Sequence, residues 1–339
     1  MKMKPAPFIF HLFVCLVVFF TGTASAQIFP NLGGQRAGIS AMPFLKNDLS
    51  PRSIAMGGAS VALNGDPYSM GVNPAAASNL THPVVGFSTR VMPAGLFQSY
   101  LSGIYTTKDR AAWMCSVNYL TGGAQKRRTE FQPLGDGTVY SSDAMKFGIG
   151  YSKALSKMFS FGVNINYIRE QLAQYSADAA SVDLGFLYRT DWKDLSFAVG
   201  LQHFGVNSTA SGSDLAVMYN RNNSATKESY GAPTLFSMGV SMVAFQKDQH
   251  QILASAQLNH PNDNAENIRL GVQYGFDSLL FVRVGYRLNV KGENISAGVG
   301  VRSRIGAFPF SVEYAVLPNR YLGIMNSIGV SIGFHKVGQ

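Results

Sequence analysis

Past the first 26 residues, the side chains best suited to nucleophilic or metal chemistry are Cys115 and five histidines: His82, His203, His250, His260 and His335. A metal site needs such ligands at short, fixed spacings, as in HExxH or paired Cys/His motifs. Here they are scattered over different segments. A nucleophile needs a base within reach and access to substrate. Cys115 lies between Trp113 and Val117 on the apolar side of an alternating run, which denies it both. His203 with Ser208 and His250 with Asp248 are the nearest approaches to a catalytic pair, and neither is convincing. His203 falls on the apolar parity of its segment, near a membrane boundary, and is read as interfacial. Gly57-Gly58 and Gly122-Gly123 precede no βα unit, so they are not phosphate loops. The chain is therefore read as a non-enzyme with no metal and no cofactor.

What recurs instead is charge at a period of two. Lys146, Asp183, Arg189, Arg269, Arg283, Arg287, Arg302 and Glu313 share the parity of Gly, Ser, Asn and Gln, opposite the apolar side. Arg269, Arg283, Arg287 and Arg302 fall on three consecutive segments and can form a basic ladder. Such a ladder serves either to neutralise carboxylates such as Asp48, Asp66 and Glu313 inside a closed structure or to hold an anionic solute.

The elements that carry these residues are strands. Phe159, Phe161, Val163, Ile165 and Tyr167 alternate with Ser160, Gly162, Asn164 and Asn166. Leu280, Val282, Val284, Tyr286 and Leu288 alternate with Phe281, Arg283, Gly285, Arg287 and Asn289. The apolar sides run unbroken over nine or more residues in many segments, about the length a tilted strand needs to cross a bilayer. The opposite sides are rich in glycine, which weakens an ordinary strand but permits close backbone approach. Tyr and Phe recur near the segment ends, as at membrane interfaces. The pattern predicts an all-β transmembrane barrel of about fourteen antiparallel strands, at 82–92, 97–106, 110–120, 143–153, 158–169, 177–189, 194–205, 233–244, 249–259, 265–276, 279–289, 294–304, 307–316 and 325–334. Short polar turns such as Lys108-Asp109 and Lys247-Asp248 alternate with linkers that include the long 121–142 and 206–232. Because hydrocarbon cannot satisfy a free strand edge, the first and last strands must pair.

Residues 1–26 read as a secretory signal peptide: a basic start at Lys2 and Lys4, an apolar run from Phe8 to Phe20, and a small-x-small site at Ala24-Ser25-Ala26. The apolar run is shorter than the roughly 20 residues of a spanning helix. Cleavage would remove Cys15 and leave Cys115 alone, so no intramolecular disulfide forms. The formal charge of +9 would fall by the two lysines. The remaining Lys and Arg are dispersed, with no basic run longer than Lys126-Arg127-Arg128, which argues against nucleic acid.

Residues 27–81 carry little alternation and precede the first strand. They are expected to fill the barrel as a plug, leaving 82–339 as the barrel itself. Met56-Gly57-Gly58-Ala59 suits a tight turn or close backbone contact. Asp66-Pro67 suits a turn, and Asn73-Pro74-Ala75 a helix start with Asn73 as cap and Pro74 at the first helical position. Arg52 and Asp66 are placed to meet charges on the barrel wall.

The series Phe44-Leu45, Ser50 to Arg52, Met56-Gly57-Gly58-Ala59, Ala62, Asp66-Pro67 and Asn73-Pro74-Ala75 resembles that of the PorV/PorQ family of Bacteroidota outer-membrane barrels. That family in turn is similar to the fourteen-strand FadL-like barrels. Pro51 departs from the small or acidic residue usual before the arginine. The resemblance implies a non-enzymatic outer-membrane component of type IX secretion that binds the translocon, the C-terminal domain of a secreted cargo, or a cell-surface attachment partner, while lipid and lipopolysaccharide surround the barrel. The length leans towards a PorQ-like or unassigned member. On this reading the partner-binding loops are 121–142, with Lys126, Arg127, Arg128, Glu130 and Phe131, and 206–232, with Asp214, Leu215, Met218, Tyr219 and Tyr230. Apolar and aromatic residues flanked by charge suit an interface, although solvated loops carry the same residues. The rival expectation is a FadL-like channel for small hydrophobic or anionic solutes.

Overall fold

The structure, a computed structural model, describes residues 38–212 and 229–334. The signal-peptide reading, residues 27–37, His335, and Asp214, Leu215, Met218 and Tyr219 of the second loop lie outside the described residues.

Fourteen antiparallel strands form one closed barrel. They are β1 (Val84–Met92), β2 (Leu96–Thr106), β3 (Ala111–Lys126), β4 (Val139–Ala154), β5 (Phe159–Leu172), β6 (Tyr175–Arg189), β7 (Ser196–Gly205), β8 (Leu235–Lys247), β9 (His250–Pro261), β10 (Asn267–Phe276), β11 (Leu280–Leu288), β12 (Ile295–Ile305), β13 (Phe308–Asn319) and β14 (Gly323–Gly333). Each pairs with its sequence neighbours, and β1 closes on β14 from Val84↔Gly333 to Val91↔Asn326. Closure leaves no unpaired edge, the condition for a sheet in hydrocarbon.

Side-chain alternation sets which face is wet. Ile165 is 66% exposed, Trp113 57% and Val284 53%. Rows of half-bare apolar side chains right around a closed sheet are stable only against lipid. Cys115 is on this outer face. The inward positions are polar and covered, among them Ser88, Asn164, Gln257, Gln273 and Arg283.

Besides a register shift between Val243 and Phe245 of β8, two irregularities depart from strict alternation. β3 and β4 run on past the expected strand ends, so the 121–142 linker is largely a protruding hairpin with a bulge between Thr121 and Ala124. The second lies between β6 and β7, where Gln202 and His203 together oppose Asp183. The extra residue shifts the parity of β7, and His203 takes a left-handed φ of 57°. His203 is therefore buried on the inner side, not at the lipid interface where uninterrupted alternation puts it.

The chain before β1 runs inside the ring of strands. Its first described residues sit at the long-loop end, where the Ala41 amide donates to the Gly231 carbonyl at 3.0 Å. It leaves at the short-turn end, where the Phe334 amide meets the Pro83 carbonyl at 2.8 Å. Between these points it forms a 3-10 turn at Pro43–Lys46, the short helix α1 (Pro51–Ala55) and 3-10 turns at Ser69–Gly71 and Pro74–Asn79. Ser50 caps α1, its hydroxyl accepting from the Ser53 amide. Asn73 caps the last turn, accepting from the Ala75 amide with Pro74 next in line. Gly57 and Gly58 follow α1 with φ of 69° and 81°, a reversal that side chains disfavour.

Candidate functional site

The lumen is where charge, cavity and the inner segment meet, and its two sides are built differently. On the β10–β13 side, polar side chains of the wall reach carboxylates and carbonyls of the inner segment. Asp48 receives Arg287 at 2.9 Å and Arg269 at 3.3 Å. Arg287 also pairs with Glu293 at 2.6 Å and donates to the Gly57 carbonyl at 3.0 Å. Deeper, Arg283 pairs with Glu313 at 3.0 Å. Gln273 accepts from both Arg283 and Arg52 through one oxygen, at 2.9 and 3.2 Å. Arg52 spends another N–H on the Asn64 carbonyl at 2.8 Å. Arg52, Arg269, Arg283 and Arg287 thus each have a directed acceptor, as burial of charge requires.

On the β4–β7 side, charge is settled within the wall. Lys146 lies 3.9 Å from Asp183 and 3.4 Å from His203 Nε2. Asp183 also accepts from the His203 backbone amide at 2.7 Å and from Asn166 at 2.9 Å. The carboxylate thereby substitutes for the ladder hydrogen bond lost at the bulge.

The carboxyls of the inner segment are driven in opposite directions. Burial pushes Asp48 up, but the guanidinium groups of Arg269, Arg287 and Arg90 outweigh it and hold the carboxyl below its ordinary range. Asp66 is raised, by burial first and then by the Glu313 charge, against the opposing pull of Arg52. Asp66 accepts from Ser50 Oγ at 2.8 Å and from the Tyr68 amide at 2.9 Å. Burial also raises the Tyr68 phenol, which donates to the Phe87 and Val330 carbonyls at 3.0 and 3.1 Å.

Neutral contacts complete the seat. Gln257 accepts from the Ser60 and Val61 amides, both at 2.8 Å. Ser255 donates to the Ala59 carbonyl at 2.7 Å, Ser102 to the Pro67 carbonyl at 2.9 Å and Asn164 to the Met70 carbonyl at 2.7 Å. Phe44 and Leu45 bury against Met42, Ala144, Ile168, Ala179 and Ala232. Wall glycines let the backbones touch. A methyl group at Gly285 would strike the Met56–Gly57 backbone, and one at Gly162 would strike Pro74 and Ala75.

Of the lumen-charge positions expected from parity, Lys146, Asp183, Arg269, Arg283, Arg287 and Glu313 enter the two ion networks, while Arg302 stacks on Phe281. Arg189 lies at the end of β6, half-buried, outside both ion networks. Arg90, Gln257 and Gln273 were not singled out by sequence, although the same parity marks them: Arg90 follows Gly86 and Ser88 on β1. Glu293 sits in a connection, where no periodicity speaks. Of the loop residues, Lys126 ends β3 and Arg127 pairs with Asp136 at 3.7 Å. Arg128 is exposed, Phe131 is 92% exposed at the hairpin tip, and Tyr230 pairs with Ser208 in a two-residue ladder. Among the described residues no three His, Cys, Asp or Glu side chains gather as metal ligands. His250 bonds to Tyr274 at 2.7 Å, not to Asp248.

Among the described residues, a cavity opens at each end of the lumen. The long-loop cavity, about 340 Å³, is bounded by Asp48, Arg269, Arg287, His203 and Glu293. The short-turn cavity, about 530 Å³, is bounded by Leu80, His82, Arg302, Arg304 and Phe310.

No family model matches the chain, and no curated protein matches it. Solved structures do. The CymD monoaromatic hydrocarbon channel superposes with a TM-score of 0.55 at 12% identity, over 85% of this chain and 98% of that one. The toluene transporter TodX of Pseudomonas putida gives 0.55 at 11% identity, over 87% and 98%. A FadL homologue of Pseudomonas aeruginosa gives 0.54 at 10% identity, over 85% and 98%. The fold is that of the FadL-like outer-membrane barrels. At these identities the FadL-like likeness speaks for architecture, and the contents of the lumen must speak for function.

Proposed function

We propose that the protein is an outer-membrane channel in which residues 38–83 act as a plug and which passes a small solute without transforming it. The observation that carries this reading is the pair of cavities at the two ends of a lumen otherwise filled by the inner segment. Each hollow opens at a barrel mouth, so a solute has a place to enter and a place to leave. Short turns mark the periplasmic end, so the 340 Å³ cavity faces outward and the 530 Å³ cavity faces the periplasm. CymD is a monoaromatic hydrocarbon channel and TodX a toluene transporter; the polar and charged lining here favours a solute with a polar or anionic group. Full-length protein in planar bilayers is expected to show brief, small openings that lengthen when Asp48→Asn removes the outer anchor of the plug. Liposomes carrying it should take up small carboxylates. Silence in both assays, for both proteins, overturns the channel reading.

A second reading rests on the β3–β4 hairpin. Phe131 and Leu134, 92% and 90% exposed, stand on a tip closed by the Arg127 amide donating to the Thr138 carbonyl at 3.0 Å. This arrangement, with the inner-segment motif resembling the PorV/PorQ family, supports docking of a type IX secretion partner or cargo domain at the cell surface. Removal of 127–138 with the barrel intact should then abolish co-purification of a surface partner from native membranes; unchanged co-purification counts against it.

A further inference from the structure

The upper part of β3 has a neighbouring strand on one side only. β2 pairs with it as far as Phe97↔Thr121, and β2 itself begins at Leu96. Past that point Ala124, Gln125 and Lys126 pair with Ser141, Tyr140 and Val139 of β4, and no described strand lies on their other flank. The Arg127 amide donates into the hairpin, to the Thr138 carbonyl at 3.0 Å. Backbone groups alternate along an antiparallel strand, so the amides and carbonyls of Ala124 and Lys126 face the unpaired flank. The opposite flank of the same raised sheet is covered: Ser176 of β6 and Ser211 exchange two amide-to-carbonyl bonds, at 2.9 and 2.8 Å.

The free edge stands in water at the long-loop end. Asp143 lies on the lipid-facing parity, opposite Thr121, and accepts from Tyr119 at 3.0 Å. A carboxylate in that position puts the headgroup region at its level, so the strand beyond Thr121 is outside the hydrocarbon. Ala124 to Arg128 are all exposed, and a methyl group added at Gly123 would meet open space. The edge is also basic. Lys126, Arg127 and Arg128 follow one another; Arg127 is held by Asp136 at 3.7 Å, and Lys126 and Arg128 enter no ion pair among the described residues. Glu130 lies beyond them, in the tip turn closed by the Thr129↔Gln132 bridge.

We infer that the β3 edge takes an extended, acidic polypeptide segment as an added strand. Strand addition draws its affinity from main-chain hydrogen bonds and its selectivity from side chains. A second copy of this chain is a poor occupant, because pairing edge to edge sets the three basic residues against their equivalents. The bulge between Thr121 and Ala124 and the charge of Lys126 are devices that keep an edge from its own kind; a strand of opposite charge escapes that bar. The inference deepens the hairpin reading above and rests on it for location alone, adding the mode of contact and the charge of the partner.

The test is titration of the full-length protein in detergent with a labelled peptide of alternating valine and glutamate, followed by fluorescence anisotropy, beside a counterpart of alternating valine and lysine. The acidic peptide binds and slows hydrogen exchange at the Ala124 and Lys126 amides; the basic one does not bind. Lys126→Gln weakens the acidic peptide by ~2- to ~5-fold, the range for an exposed ion pair. Lys126→Pro removes an amide that faces away from the hairpin, a position where proline is tolerated, and weakens binding by a further ~10-fold, as for lost main-chain bonds. Phe131→Ser combined with Leu134→Ser leaves peptide binding unchanged, so a failure of the tip as a docking point and a failure of the edge are told apart. No binding of the acidic peptide, equal binding by Lys126→Pro and Lys126→Gln, equal binding of the basic peptide, or loss of binding in the tip variant overturns the proposal. Unslowed exchange at Ala124 and Lys126 in the native protein also overturns it, which keeps the test open if Lys126→Pro disturbs the hairpin. Self-association of the native protein that Lys126→Pro abolishes puts a second copy on the edge and overturns the acidic occupant.

Discussion

On the β10–β13 side of the lumen, arginines and a glutamine of the wall reach across to Asp48, Arg52 and the Gly57 carbonyl of the inner segment. On the β4–β7 side, Lys146, Asp183, His203 and Asn166 satisfy one another, and the inner segment meets that wall through uncharged contacts, among them Phe44, Leu45, the Met70 carbonyl and Asn73. The same chemistry therefore does two jobs. Pairs that cross the gap fix the segment to the wall; pairs that stay in the wall repair a break in its ladder. Removing a charge should free the inner segment in the first case and damage the barrel in the second.

The sharpest way to break that contrast is Asp183→Ala. It leaves Lys146 buried without its carboxylate and the His203 amide without its acceptor. Breaking a buried pair this way costs about 3–5 kcal/mol. The expected outcome is a lower unfolding temperature of the whole barrel, read by heat-modifiable mobility in detergent. If only the protease sensitivity of the inner segment changes, the in-wall cluster anchors the segment after all.

Next in size is Gly285→Val. The added side chain meets backbone, at Met56 and Gly57, and cannot be relieved by rotating a flexible neighbour. Overpacking of this kind costs about 1–3 kcal/mol, and here the segment is the movable partner. Hydrogen exchange at the amides of residues 54–60 should accelerate while the strand amides stay protected. Equal acceleration in β10–β12 would show that segment and wall form one cooperative unit.

Much of this was legible in the sequence. The strand count, closure and inward placement of Arg269, Arg283, Arg287 and Glu313 follow from a period of two over long runs. Asn73-Pro74 announces its cap because the signal is local. His203 was misplaced because one extra residue at a bulge reverses every side chain beyond it, and alternation cannot register an insertion where Gln202 and His203 are both polar enough for either face. The neutralising reading of the ladder names Asp48 among its carboxylates, but which arginines it takes, Arg269 and Arg287 more than 200 positions away, is not legible, since Asp48 sits in a turn-rich stretch with no period to orient it. Parity gives Arg302 the inner face, but its stacking on Phe281 depends on a partner from a neighbouring strand that no period records.

The smallest expected effects separate two anchors within the inner segment itself. Asp48 is held below the ordinary aspartate value of 3.8, so its contribution is complete above that value and is lost as pH falls through the lowered one. Asp66 is held above 3.8, by burial and by Glu313. Its contribution is complete below 3.8 and is lost as pH rises through the raised value. The segment is therefore held most firmly between the two titrations, and loosens on either side for different reasons. Protease resistance of the inner segment, followed from about pH 3 to about pH 8, should pass through a maximum. Asp48→Asn should flatten the acid limb and leave the other. Asp66→Asn keeps an acceptor for the Tyr68 amide and should flatten the alkaline limb, with resistance near neutrality equal to or greater than that of the native protein. A profile unchanged by Asp66→Asn would mean that Arg52 neutralises this carboxylate more completely than Glu313 opposes it, and the charge contrast would then lie between the two walls alone.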